Sequence, residues 1–248
     1  MQSTNDHDRW VVKLKNSTIE FSEYLEPFKV YGSVANYNCT ISDNLCKECG
    51  LPSPCYSSSN HTNLAKADGV YQIGFHYNKE NESKRPHNDY LTLHMQNLEQ
   101  GTEYAAPLAL AMFEIAQEKY AYLLEADVIV PVPSFTKDKD VLIKGAALAF
   151  ELANLFVKKG KKASLVQCIQ KTHKVSVQQL EMDGKNQEEK DAAIKDAYQI
   201  SDDVDLAGKK VLLVDDNLTS GLTAGTCAEK LKAQGAEKVW VFVAGRTK

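Results

Sequence analysis

From about residue 100 onward, apolar runs of strand length alternate with stretches of helical periodicity. The pattern predicts a helix over 103–124, a strand over 127–132, a helix over 145–157 and a strand over 163–169. It then predicts a strand at 211–214, a helix over 224–234 closed by Gly235, and a last strand over 238–244. Strands and helices in alternation give an α/β fold with a doubly wound, mostly parallel sheet. The run Val211-Leu212-Leu213-Val214 has no polar interruption, as expected of a strand buried on both faces. The first hundred residues differ. They are rich in Asn, Ser, Tyr and Cys, show little helical period, and include a polar stretch at 78–89 that reads as an exposed loop. The chain therefore divides into an N-terminal region, 1–98, and an α/β domain, 99–248.

The end of the 211–214 strand carries the most informative chemistry. Asp215 and Asp216 follow it directly, and then Asn217-Leu218-Thr219-Ser220-Gly221-Leu222-Thr223 leads into the next helix. Open α/β sheets bind ligands beyond the carboxyl ends of their strands. A helix N-terminus offers unpaired N–H groups and the positive dipole end to a phosphate. Gly221 lets the backbone approach that phosphate, and Thr219, Ser220 and Thr223 add hydroxyl donors. Two carboxylates beside such a cradle suit vicinal sugar hydroxyls, so the segment outlines a site for ribose 5-phosphate. Two other readings share these residues. The run also resembles the opening strand of a response-regulator receiver, although only 32 residues follow Asp216. Alternatively, the acidic pair caps a helix and nothing more.

Composition changes this picture little. Hydrophobic residues make up 43% and charged residues 25% of 248, as in ordinary globular chains. The formal charge of −4 gives no support for a nucleic-acid partner. The densest basic cluster, Lys158, Lys159, Lys161 and Lys162, falls where a helix should end and complements its dipole. The N-terminus lacks the basic and apolar regions of a signal peptide, and no apolar run is long enough to span a membrane, so a cytoplasmic location is expected.

Four of the six cysteines crowd into 39–55, as Cys39, Cys46, Cys49 and Cys55, with Gly50, Pro52 and Pro54 supplying turns. Four thiolates are the ligand set of a structural tetrahedral Zn²⁺, and C-x2-C-G is a common knuckle around it. A cubane iron–sulfur cluster (4Fe–4S) uses the same ligand set. Cys168 and Cys227 fall within predicted elements and read as small core residues.

The stretch from Val211 to Thr223 resembles the 5-phosphoribosyl 1-pyrophosphate (PRPP) signature of type I phosphoribosyltransferases, with Asn217 where an aliphatic residue is commoner. A cysteine-rich segment ahead of such a domain is similar to the ComF family. Ile129-Val130-Pro131-Val132-Pro133 resembles its first core strand, Lys171 to Gln178 its R-T-x-x-T-x-x-Q pattern, and Lys190 to Tyr198 its R-x-x-N-V-x-x-A-F. The resemblance implies transfer of a phosphoribosyl group from Mg²⁺-bound PRPP to an acceptor it does not identify. Asp215 and Asp216 would be the catalytic carboxylates. Asn217, Thr219, Ser220, Gly221, Leu222 and Thr223 would bind PRPP, with Ser134, Lys137 and Lys139 at its diphosphate. It further implies a mobile loop over 172–196, a hood formed by the N-terminal region, and admits a homodimer. The family's arginine-rich stretch after the diphosphate loop is missing, since 134–145 contains lysines but no arginine. A non-catalytic PRPP-fold binding module, of a competence-type or nucleic-acid-associated accessory protein, is the alternative.

Overall fold

The computed structural model describes residues 10–13, 18–21, 41–42, 45–46, 64–77, 79, 83, 90–135, 144–175 and 177–247. Two short antiparallel pairs lie in the N-terminal region: β1 (Trp10–Lys13) with β2 (Thr18–Phe21), and β3 (Ile41–Ser42) with β4 (Leu45–Cys46). The centre of the molecule is a five-stranded sheet. It is built from β5 (Gly69–His76), β6 (Val128–Pro131), β7 (Ser164–Leu165), β10 (Lys210–Leu218) and β11 (Lys238–Thr247), in the spatial order β5-β11-β10-β6-β7. All four ladders are parallel.

The two sides of this sheet bury two separate cores, and the pleat assigns each residue to one of them. On one face, Tyr71, Ile73, Ile129, Leu212, Val214, Trp240 and Phe242 pack with helices α1 (Tyr90–Gln100), α2 (Ala105–Lys119) and α3 (Lys144–Lys158). On the other face, Val70, Val128, Val130, Val211, Leu213, Val239 and Val241 pack against α6 (Leu222–Ala233). Val211 to Val214 are each 0% exposed, as a strand covered on both sides requires. A third antiparallel pair, β8 (Ile169–Lys171) with β9 (Tyr198–Ile200), stands apart from the main sheet. Between its strands the chain makes an excursion through α4 (Val177–Met182) and α5 (Gln187–Asp196). No helix among the described residues is long and apolar enough to cross a membrane.

Several elements differ from what the sequence pattern predicts. The helix expected over 103–124 breaks into a 3-10 turn at Thr102–Tyr104, helix α2, and a second 3-10 turn at Ala121–Glu125. The strand expected over 163–169 also splits, because β7 leaves the sheet after Leu165 and β8 pairs with β9 instead. In the region read as lacking helical period, Leu91, Met95 and Leu98 recur at helical spacing and are all buried in α1. β5 gives the sheet its outer strand from residues 69–76, ahead of the division placed at residue 98. The 172–196 segment holds two helices. The second is fixed by a capping box in which Asn186 Oδ1 accepts from the Glu189 N–H and Glu189 accepts from the Asn186 N–H.

Candidate functional site

The strand order itself locates the site. From β6 the chain crosses by α3 to β7 on one side, and from β10 it crosses by α6 to β11 on the other. β6 and β10 are therefore the neighbours at which the winding reverses, where an open α/β sheet leaves a crevice at its carboxyl ends. Sequence deepens that crevice. The last ladder partner of β6 is Pro131, opposite Val214, and one more bond runs from the Val132 N–H to Val214 O at 2.8 Å. Pro133 then has no N–H to continue. β10 runs on to Leu218, still paired with β11, so its end is bordered by a partner on one side only. Asp215 and Asp216 lie on this overhang, inside the strand rather than after it.

A cavity of about 280 Å³ opens there, lined from β6 onward by Val132, Pro133, Ser134 and Phe135, and from β10 and α6 by Asp215 to Gly221, Thr223 and Ala224. The structure thus gathers Asp215, Asp216, Asn217, Thr219, Ser220, Gly221, Thr223 and Ser134 around one space. Leu222 is not in its lining. It turns into the core in the first turn of α6, 7% exposed. Lys137 and Lys139 lie outside the described residues, as do Cys39, Cys49 and Cys55. Cys46 is described only as backbone of β4.

Gly221 adopts the left-handed region, φ 74°, as the N-cap residue of α6. A Cβ there would stand 2.9 Å from two carbons of the buried Leu64 side chain, so both dihedral and space demand glycine. Having no side chain, Gly221 caps nothing. Ser220 Oγ makes a long contact of 3.4 Å to the Leu222 N–H, and the first turn of α6 carries no acidic residue. The positive end of the helix thus faces the cavity with little internal compensation. Behind it, Asn217 Nδ2 donates to Thr247 Oγ1 at 2.8 Å, and Thr219 Oγ1 stands 3.0 Å from the same hydroxyl. These bonds tie the loop to the end of β11.

Although part of Asp215 touches solvent, its carboxyl is walled in. A Cβ on Gly145, in the first turn of α3, would come within 3.2 Å of Asp215 Oδ1. Burial, then the adjacent Asp216 charge, push the Asp215 pKa well above the usual carboxylate range, while the Asp216 N–H bond to Oδ1 at 2.9 Å and Lys144 pull the other way. Lys144 Nζ lies 4.0 Å from Asp216 Oδ2. The site therefore holds two adjacent carboxylates, one enclosed and one more open, beside an uncapped helix N-terminus. Chemically, it can accept hydrogen bonds from a polyol and hold an anion within a few ångströms of it.

Among the lining residues that were not foreseen as part of the site, Lys171 and Tyr198 come from elements remote from β6 and β10. Lys171, from β8, and Tyr198, from β9, are partners in the antiparallel register and both reach the cavity. Their place inside the stretches Lys171–Gln178 and Lys190–Tyr198 was the only sequence signal, and it did not say which members face the ligand.

No protein-family model matches the chain, and no curated protein sequence matches it. Among solved structures, the purine phosphoribosyltransferase from Pyrococcus horikoshii Ot3 aligns with a TM-score of 0.35 at 18% identity, over 55% of this chain and 80% of that one.

Proposed function

We propose that the protein binds Mg²⁺-PRPP in the crevice between β6 and β10 and transfers the 5-phosphoribosyl group to a nucleophilic acceptor, releasing pyrophosphate. The observation that carries this reading is the joining, at the switch point of the sheet, of an adjacent carboxylate pair with a hydroxyl-rich, uncapped helix N-terminus behind Gly221. The PRPP-like sequence from Val211 to Thr223 agrees with it.

In this reading the loop at 219–223 holds the 5-phosphate through backbone N–H groups and the hydroxyls of Thr219, Ser220 and Thr223. Asp215 and Asp216 accept hydrogen bonds from the ribose hydroxyls, and Asn217 holds the loop against β11. The acceptor attacks the anomeric carbon as the bond to the diphosphate oxygen breaks, and the electron pair leaves with pyrophosphate. The sugar gains positive charge along the way, which the two carboxylates stabilise without forming a covalent intermediate. Ser134, with Lys137 and Lys139 following it in sequence, belongs to the diphosphate end. The partly exposed Asp216 carboxylate and the neighbouring hydroxyls are oxygen donors of the kind Mg²⁺ takes, and when bound the ion would neutralise diphosphate charge. In the N-terminal region, Cys39, Cys46, Cys49 and Cys55 are proposed as a structural zinc site.

A second reading keeps the binding and drops the chemistry. The absence of arginine from 134–145 favours it, because lysines meet a diphosphate only as point charges. Calorimetry with Mg²⁺-PRPP tests the shared part. Wild type should bind, Asp216→Asn should bind roughly ten- to a hundredfold more weakly, and Gly221→Val should be worse still. Equal affinity across the three proteins would remove the site. Pyrophosphate release against a panel of bases then separates the enzyme from the binding module.

A further inference from the structure

Lys171 is the cation among the described residues that line the cavity, and its position is fixed by more than its own strand. It faces Tyr198 directly in the β8–β9 register, and its Nζ lies 5.2 Å from the centre of the Tyr198 ring, within cation–π range. The Tyr198 hydroxyl is hydrogen-bonded to the Thr223 side chain, in the first turn of α6. A continuous path of contacts therefore runs from the ammonium through the ring to a hydroxyl of the 219–223 loop. The neck beneath it is pinned, with the Thr172 N–H donating to Ala197 O at 2.8 Å and the Ser201 N–H to Cys168 O at 2.8 Å. The ammonium is half-buried and makes no ion pair with a carboxylate among the described residues. Burial holds its pKa below the usual lysine value, the cost of keeping a cation partly out of water without a carboxylate partner.

We propose that Lys171 binds the phosphate monoester held by the 219–223 loop, with Tyr198 as the positioning residue that aims it. This deepens the proposed function and rests on it, because it assigns the anion of that loop a dedicated side-chain counter-charge. It makes the sugar phosphate, rather than the diphosphate, the group that Lys171 recognises. The helix N-terminus contributes only a partial charge, so a full cation in the same cavity lining supplies the counter-charge that a doubly ionised monoester calls for.

The experiment measures binding of three probes by calorimetry: PRPP with Mg²⁺, ribose 5-phosphate and inorganic pyrophosphate. Lys171→Met should weaken PRPP and ribose 5-phosphate by a similar factor, roughly ten- to a hundredfold, and leave pyrophosphate unchanged. Lys171→Arg should recover most of the loss, which separates charge from packing. Tyr198→Phe keeps the ring and loses the Thr223 bond, so its effect should be smaller than that of Tyr198→Leu. Thermal melts of each variant identify any that fail to fold, and Lys171→Gln supplies a second neutral substitution. If Lys171→Met and Lys171→Gln bind ribose 5-phosphate as wild type does, Lys171 is not the phosphate ligand. Loss of pyrophosphate and PRPP binding with ribose 5-phosphate binding intact would place Lys171 at the diphosphate and overturn the assignment as well. Wild type that binds neither sugar phosphate overturns the proposed function itself, a different result from the other two.

Discussion

Asp215 shows how a residue can serve a site at the expense of the fold around it. Its pKa in the folded chain is raised, chiefly by burial and then by Asp216, so the native state holds that proton to higher pH than the unfolded state does. Between the unfolded value, near 4 for an ordinary Asp, and the raised folded value, the native state carries more protons. Its stability therefore falls as pH rises through that window. Asp215→Asn removes the titration and keeps the shape. The expected result is a higher melting temperature than wild type at pH 7, by ~2–4 °C for each kcal/mol recovered, with the gap closing as pH is lowered below about 4. The same variant should lose PRPP affinity. A melt series from pH 3.5 to 8 checks the first claim, and an unchanged gap across that range would contradict it.

At the scale of elements, the sheet depends on how its outer strand is fastened. Asp68, just before β5, accepts from the Val239 N–H at 2.7 Å, pairs with Lys232 at the end of α6 at 2.6 Å, and reaches Lys238 at 3.5 Å. Burial pulls its pKa up, but the Lys232 bond, the Val239 N–H and the two ammonium charges outweigh it, and the net pKa is lowered. A lowered acid contributes stability that is present above its unfolded pKa and is lost as pH falls through the folded one. Asp68→Ala should therefore destabilise by about 1–3 kcal/mol at neutral pH, and by less in acid, as read by denaturant unfolding. β5 was legible in retrospect: V-Y-Q-I follows Asp68-Gly69 and is rich in β-branched and aromatic residues. So was the start of α5, where Asn186-x-x-Glu189 is a capping-box pattern. The core strand 211–214 and helices α3 and α6 were clear because one strong period governs each. Lys171 and Tyr198 were not, since their facing positions depend on a hairpin register that closes across 26 intervening residues and no local period encodes it.

For the whole molecule, the described core does not include the cysteine-rich stretch, and no cluster of His, Cys, Asp or Glu placed to hold a metal occurs among the described residues. The zinc proposal therefore stands on Cys39, Cys46, Cys49 and Cys55 alone. Protein purified in air should carry about one zinc per chain by elemental analysis, and chelation should lower its melting temperature while ribose 5-phosphate still binds. Iron with acid-labile sulfide would replace zinc by a cluster, and metal-free protein from both aerobic and anaerobic preparations would end both assignments. The half of the site that was readable, the acidic pair and the 219–223 loop, is contiguous in the chain. Ser134, after β6, was named only through the family resemblance, and the part that was not readable, Lys171 and Tyr198, comes from the β8–β9 pair, which only the completed fold brings alongside.

The bond from Thr172 to Ala197 has a consequence for how this chain can vary. It closes the α4–α5 excursion at its root, so the two ends of that segment are already together whatever lies between them. Lengthening a closed excursion costs only about 0.6 kcal/mol for each doubling, and shortening it relieves as little. Related chains are thus free to gain or shed whole helices at this one place while Lys171 and Tyr198 keep their positions, making the neck a graft point where new surface can be added without rebuilding the pocket beneath.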